Sequence, residues 1–517
     1  MRIRQLSGEY HPIPAVLRSR PAVVSVAAVA AVLVAGAPAA ADPAPPVAGE
    51  TAAAAGTPGS DGLGDPYYPK DGNGGYDAID YDVAIDYNPS SHRLVGKTKV
   101  TAKATQALSA LNLDFAGPAV GSVTVNGQAA GFKRAGEHEL VVTPKAELPV
   151  GQSFTVVVDY AGTAPDTKGN GWTYSPSGGA FAAGEPHSAT TWFPLNDTPL
   201  DKSTITVRAT VPTGWDVASN GLRTSDTPAG TGKHTVTWQA KDPIIGYLTT
   251  IAIEKFTRLS QTLSGRTPLE SFFAPSAKNK QDLEKKLPAV LGFAEQLYGP
   301  YPFESGGGIY VDTNLQFSLE TQTRPIYAPW TDLNTVVHEN AHQWWGDSVS
   351  IKDWRDVCLN ECFASYTADI LWPERIDHRN ADQIYRRALA SADQQNVWAT
   401  PLYDPGKGRE FTTVYTRGPL FLHALRRAIG DDVFFTAVRD FAQSHRHGNA
   451  SIPELRQFFQ SRTQQNLTGF FDAWLNGKKR PAAEYLYPGS LGSQGLQESP
   501  EAPDPAGDRP FGLGDRK

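Results

Sequence analysis

From about residue 76 to residue 256, apolar and polar positions alternate with a period of two. Residues 81–87 read Tyr-Asp-Val-Ala-Ile-Asp-Tyr, and residues 203–211 repeat the pattern, so each predicts a strand with one buried face. Residues 154–160 form a short aromatic and β-branched run, which suits a more fully buried strand. The run beginning at Val123 ends in Asn126-Gly127, the dipeptide that best suits a two-residue hairpin turn. These signals predict an antiparallel β domain over residues 73–257.

From about residue 275 the period lengthens to that of a helix. Helices are expected over 282–297, 333–345, 354–371, 380–394, 417–429, 432–444 and 452–462, with Gly430 as a stop and Pro453 as a start. Residues 308–311 and 317–319, between the first two, read as short strands. The 517 residues exceed what one hydrophobic core organises. The expectation is an α+β multidomain chain, with the β domain followed by a mainly helical domain over 258–484.

The two ends read differently. Arg2, Arg4, Arg18 and Arg20 precede an apolar run over 21–36, and Ala37-Pro38-Ala39-Ala40-Ala41 supplies small residues for cleavage. Residues 1–41 therefore read as a signal peptide of bacterial export, and the mature protein as secreted. The run is shorter than the roughly 20 residues of a comfortable membrane span, so no stable membrane association is expected after cleavage. Residues 42–72 and 485–517 are poor in large apolar groups and read as a disordered linker and a disordered tail. A net charge of −7 argues against a nucleic-acid partner. A monomer is expected.

The candidate chemistry lies in the helical half. His338-Glu339-Asn340-Ala341-His342 places two imidazoles at i and i+4, on one helix face. With 11 histidines in the chain, this arrangement arises by chance in about one such sequence per hundred. Zinc accepts imidazole nitrogen and carboxylate oxygen, and a catalytic zinc keeps three protein ligands and one open position. Glu361, which follows His342 after eighteen intervening residues, is the natural third ligand from a neighbouring helix. Glu339 is placed to take a proton from a bound water. The neighbouring Trp344 and Trp345 read as core packing.

These residues resemble the active-site region of the aminopeptidase N family of zinc peptidases. Asn360-Glu361-Cys362-Phe363-Ala364 is similar to that family's third-ligand segment, with Cys362 where glycine is usual. The resemblance extends to Trp192-Phe193-Pro194-Leu195-Asn196-Asp197-Thr198-Pro199 and to Tyr298-Gly299-Pro300-Tyr301-Pro302-Phe303, and covers about residues 75–480. It implies a thermolysin-like catalytic domain, one Zn2+ per chain, and peptide substrates cut at the N-terminal bond. Because helical text stops soon after Trp474, it implies a short form of the family.

The resemblance also assigns residues outside the motif. Tyr415, in Val414-Tyr415-Thr416-Arg417-Gly418, is similar to the tyrosine that stabilises the oxyanion, and Pro419 is expected at a helix start. Glu320 and Glu185 match acidic positions that hold the substrate's ammonium, although only the glutamate of the loop around 317–321 is kept. The family's acidic residue seven positions after the third ligand is Ala368 here, and Asp369 reads as a helix-surface charge. Alternatives are a zinc endopeptidase, another small-substrate hydrolase on this scaffold, or a non-catalytic peptide-binding homologue. The cysteines, Cys358 and Cys362, can be buried thiols, a local disulfide or, least in keeping with a full ligand set, metal ligands. The demanding geometry of a disulfide favours thiols.

Overall fold

A computed structural model describes residues 55–493; residues 1–41, read as a signal peptide, lie outside the described residues, as do 42–54 and 494–517. The N-terminal half is built on strands β1 (Tyr76–Asn88), β2 (Arg93–Ala104), β3 (Leu108–Asp114), β4 (Ala119–Val125), β5 (Gln128–Ala129), β6 (Glu139–Thr143), β7 (Ser153–Thr163), β8 (Ser203–Pro212), β9 (Leu222–Pro228) and β10 (Lys233–Ile244). Eight of them form one sheet in the order β9-β10-β8-β1-β2-β7-β4-β5. Its pairs are antiparallel except β1 with β8, which run parallel. β3 and β6 pair in a second sheet.

Alternation puts Tyr81, Val83, Ile85 and Tyr87 of β1 into the core. β7 corrects the sequence reading. Phe154, Val156, Val158 and Tyr160 are buried, but the residues between them are half-buried, so this strand covers the core with one face only. The β-branched Thr155 and Val157 suit the pleat on either face, which is why composition misread its burial. The Asn126-Gly127 turn does join β4 to β5, Val125 facing Gln128. Both turn residues have positive φ, 50° and 75°, as this hairpin requires.

The second half opens with a hairpin, β11 (Thr257–Leu263) and β12 (Thr267–Phe273), extended by β13 (Ile309–Tyr310) and β14 (Ile326–Tyr327). The strand expected over 317–319 is reduced to a single bridge, Leu319 with Ile326. The longer helices are α1 (Leu287–Tyr298), α2 (Leu333–Ala341), α3 (Cys358–Tyr366), α4 (Ala381–Gln395), α5 (Val414–Ile429), α6 (Asp431–Ser444) and α7 (Ile452–Ser461). An antiparallel-rich β domain followed by a helical catalytic domain is the fold of this chain.

Three segments depart from the sequence reading. Residues 55–72 are an ordered strap rather than a disordered linker. Thr57–Pro58 pairs with β3, Tyr67 is buried, and Asp65 accepts the Trp354 amide at 2.9 Å. Few large side chains are needed, because the order comes from hydrogen bonds to partners far along the chain. The start of the expected tail is ordered too: Leu486 and Leu491 are buried, and Tyr385 donates to the Leu486 carbonyl at 2.7 Å. Pro419 lies inside α5 and not at its start, since the helix begins at Val414.

Candidate metal centre

α2 starts on Asp332, whose carboxylate accepts the Thr335 amide at 2.9 Å and caps the helix. Regular helix ends at Ala341, earlier than the sequence suggests, but His342 keeps helical φ and ψ of −58° and −24°. The i, i+4 relation of His338 and His342 therefore survives. α3 lies beside α2 and carries Glu361, and Trp345 stacks on Phe363 with ring centroids 3.9 Å apart, fixing the spacing. Trp344 and Trp345 are buried packing residues.

The three candidate ligands converge. Nε2 of His338 and Nε2 of His342 are 3.1 Å apart, and Oε2 of Glu361 lies 3.2 Å from the first and 3.4 Å from the second. Zinc bonds of 2.0–2.1 Å in a tetrahedron put ligand atoms about 3.3 Å apart. The donor set and its spacing both fit zinc. Glu320, His342 and Glu361 form a second group, with one donor atom of each within 4.8 Å of the others. Nδ1 of His342 faces the Trp345 carbonyl at 2.9 Å. A carbonyl only accepts, so Nδ1 carries the proton and Nε2 is left with the lone pair a metal needs. Ser365 Oγ stands 3.4 Å from Nδ1 of His338.

The electrostatics call for a cation. Burial pulls the His342 imidazolium down, but the carboxylates of Glu320 and Glu361 outweigh it and hold it at about 10. Burial raises Glu361, yet the two histidines bring it below the usual carboxylate range. Glu320 goes the other way, raised by burial and then by the charge of Glu361. Glu339 is buried, with a donor atom within 4.8 Å of those of His338 and His342.

The remaining candidates are spread over neighbouring elements. Tyr415 is on the first turn of α5, its ring centroid 6.0 Å from that of His338. α5 sits close to α3 because Gly418 has no side chain: a Cβ there would be 2.5 Å from Cys362 Sγ. Cys358 and Cys362 form a disulfide, which corrects the expectation of free thiols; their Cα atoms are 4.8 Å apart, inside the range a bridge spans. Asp369 is half-buried and accepts from Asn334 at 3.0 Å, so it is more than a surface charge. Glu185 belongs to the β domain, between the strand ending at Ala183 and the short helix Ala189–Thr191. Its loop is linked to Tyr247, the partner of Glu320, by a chain of rings, His187 to Tyr68, Tyr68 to Trp354, and Trp354 to Tyr247.

Sequence reasoning missed two residues that orient the site. The Tyr247 hydroxyl donates to Glu320 at 3.3 Å and accepts from Asn360 Nδ2 at 3.4 Å. Gln343 donates to the Glu320 carbonyl at 3.3 Å and accepts the Thr323 amide at 2.8 Å. Gln343 was visible as a polar residue directly after the motif; Tyr247, some ninety residues upstream, carried no local signal. Lys202 Nζ donates to the carbonyls of Asp347 (3.1 Å) and Ser348 (3.0 Å), fastening the β domain to the loop after the histidines.

Residues 309–474 match the model of the peptidase family M1 domain, and residues 77–248 that of the peptidase M1 N-terminal domain. Among curated proteins the chain is similar to human endoplasmic reticulum aminopeptidase 1, at 25% identity over 425 residues, covering 73% of this chain and 44% of the relative. It is also similar to aminopeptidase N of Lactococcus lactis subsp. lactis, at 26% over 153 residues, covering 27% of this chain and 18% of the relative. The chain thus spans less than half the length of these relatives. The crystal structure of an M1 zinc metallopeptidase from Deinococcus radiodurans superposes with a TM-score of 0.75 at 27% identity, covering 81% of this chain and 98% of that one. A mutant of that protein bound to a Tyr-Ser-Ala substrate gives 0.73 at 26%, covering 81% and 99%. Among the described residues, no helix is long and apolar enough to cross a membrane.

Proposed function

The chain belongs to the M1 family of zinc metallopeptidases, and from that premise we propose that it is an aminopeptidase, hydrolysing the N-terminal peptide bond of peptides with one zinc ion per chain. The observation that carries this reading is a buried carboxylate beyond the ligand set: Glu320, within 4.8 Å of the donor atoms of His342 and Glu361. A fixed anion at the edge of a metal site suits a free ammonium, and an internal peptide brings no charge to offset its desolvation.

His338, His342 and Glu361 would hold the ion. Zinc bound there supplies a Lewis acid that activates a water and polarises the scissile carbonyl. Glu339 takes the proton of the attacking water as general base and returns it to the leaving amine. Tyr415 donates a hydrogen bond to the oxygen on which negative charge develops. Glu320, oriented by Tyr247 and Gln343, receives the substrate ammonium, with Glu185 as a second carboxylate from the β domain. Asn360 and Trp345 steady these groups through their contacts with Tyr247, His342 and Phe363. The basic and then apolar start of the chain supports export and a secreted enzyme.

The deciding experiment compares aminoacyl-anilides with the same compounds N-acetylated, with and without zinc. Zinc-dependent release from free-amine substrates alone is expected. Equal cleavage of blocked substrates would leave a zinc hydrolase that does not read the N-terminus, as in an endopeptidase.

A further inference from the structure

A second set of metal-type donors is buried in the β domain, away from the histidine motif. Asp114 ends β3 and Glu139 begins β6, and the two are directly opposed residues of that antiparallel pair. Like charges at opposed positions repel, and here burial also removes the water that would screen them. Asp114 is fully buried and Glu139 is 6% exposed. One oxygen of Asp114 accepts from Asn73 Nδ2 at 3.0 Å and from the Asp197 amide at 2.8 Å. Its other oxygen, and both oxygens of Glu139, have no hydrogen-bond partner among the described residues. A folded interior does not usually leave three acceptors unsatisfied at one place.

His138 completes the set. Its Nε2 stands 3.5 Å from Asp114 Oδ1 and 3.7 Å from Asp71 Oδ1, and 3.2 Å from the Lys70 carbonyl, a contact that an ion bound through this nitrogen would replace. One donor atom each from Asp114, His138 and Glu139 lie within 4.8 Å of one another. The nearby cations are engaged elsewhere. Lys70 pairs with Asp61 at 2.6 Å and His187 with Asp71 at 3.0 Å, while the Arg134 guanidinium is turned to the carbonyls of Phe115, Gly117 and Pro118. Burial, and then the charge of Asp197, holds Asp114 well above the ordinary carboxylate range, which marks a site short of positive charge.

We propose that Asp114, His138 and Glu139 form a second divalent-cation site, distinct from the catalytic zinc. Calcium takes six to eight oxygens, whereas two carboxylates with one imidazole suit Mn2+ or Zn2+. The side chains of His138 and Asp71, 22% and 11% exposed, leave an approach from solvent. The ion neutralises the opposed carboxylates. Through Asn73 and Asp197, both hydrogen-bonded to Asp114, it fixes the end of the strap and the segment 195–197 onto the β domain. Its role is structural, so binding and stability are the readouts.

The full chain, stripped of metal and given one equivalent of zinc with no excess, so that the tighter histidine site alone is filled, is titrated with Mn2+ while free Mn2+ is followed by electron paramagnetic resonance. Manganese stands below zinc in affinity for imidazole-rich sites and does not displace it there. One Mn2+ per chain beyond the zinc is expected, together with a rise in Tm. Glu139→Gln and His138→Ala are each expected to weaken that binding at least tenfold with zinc content unchanged. His138 is partly exposed, so its variant decides the matter if the buried substitution fails to fold. Wild-type protein that neither binds Mn2+ nor gains Tm overturns the proposal, as do variants that bind like wild type; the carboxylates are then neutralised by protons.

Discussion

The Tyr67 hydroxyl donates to Asp404 across 2.6 Å and accepts the Gly406 amide at 2.7 Å, so a strap from the N-terminal side of the β domain is fastened to a loop of the helical domain. Tyr68 repeats the contact with Glu410 at 2.9 Å. Hydrogen bonds to a charged partner contribute roughly 1.5–3 kcal/mol when buried. Tyr67→Phe should lower stability by about 1–2 kcal/mol, and Asp404→Asn by less, since an amide oxygen still accepts. Urea unfolding of both and of the double variant checks it: a coupling energy near zero would show that the strap is held by packing alone.

Glu339→Gln should reduce kcat by at least about a thousandfold while zinc content stays at the wild-type value, because the substitution removes a base and no ligand. His338→Ala and Glu361→Gln should lose the metal itself. Metal analysis alongside turnover separates the two classes, and loss of zinc from Glu339→Gln would make that residue a ligand.

Tyr415→Phe should lower kcat by roughly 100-fold or more with KM little changed, since its donor acts on charge that develops in the transition state. Gly418→Ala, one helical turn further along, places a methyl 2.5 Å from Cys362 Sγ and must push α5 from α3. It should cost about 1–3 kcal/mol of stability and depress kcat, because Tyr415 moves with the helix. Normal kinetics in Gly418→Ala would uncouple the disulfide contact from the position of Tyr415.

Glu320→Gln should raise KM for free-amine substrates by about tenfold or more and leave N-acetylated ones no worse, since only the former carry the charge it answers. The Tyr247→Phe variant should shift KM in the same direction by less, having lost one hydrogen bond to that carboxylate. A uniform fall in kcat for both substrate types would instead point to Glu320 as a contributor to metal binding.

Burial and then Asp61, opposed by Lys70, raise Glu139 to about 7. Asp71 adds to the rise, and Asp114 and His138 also face this carboxyl. A carboxyl whose folded pKa exceeds its unfolded value holds more protons when folded, so stability falls as pH climbs from about 4.5 to about 7. In chelator, wild-type Tm should drop between pH 5 and pH 8 by roughly 2–5 °C more than that of Glu139→Gln. Parallel Tm profiles would place the cost on another group.

The candidate metal ligands were legible in the sequence because helix periodicity alone puts His338 and His342 on one face. Glu361 needed only a second helix beside the first. The alternating strands and the Asn126-Gly127 hairpin were legible for the same reason: each is set by residues within a few positions. The motif segment likewise carried Glu339, while Tyr415 and Glu320 came through flanking resemblance rather than geometry.

What only the tertiary structure decided is what depends on partners remote in the chain. No composition rule foretells that residues 55–72 are ordered, because their order rests on Tyr67 meeting Asp404 and Asp65 meeting Trp354. Nor does periodicity reveal that Asp114 and Glu139 oppose each other in a buried ladder, or that Tyr247 holds Glu320. Sequence encodes local preference directly; a hydrogen bond across hundreds of residues exists only once the packed domains bring its two ends together.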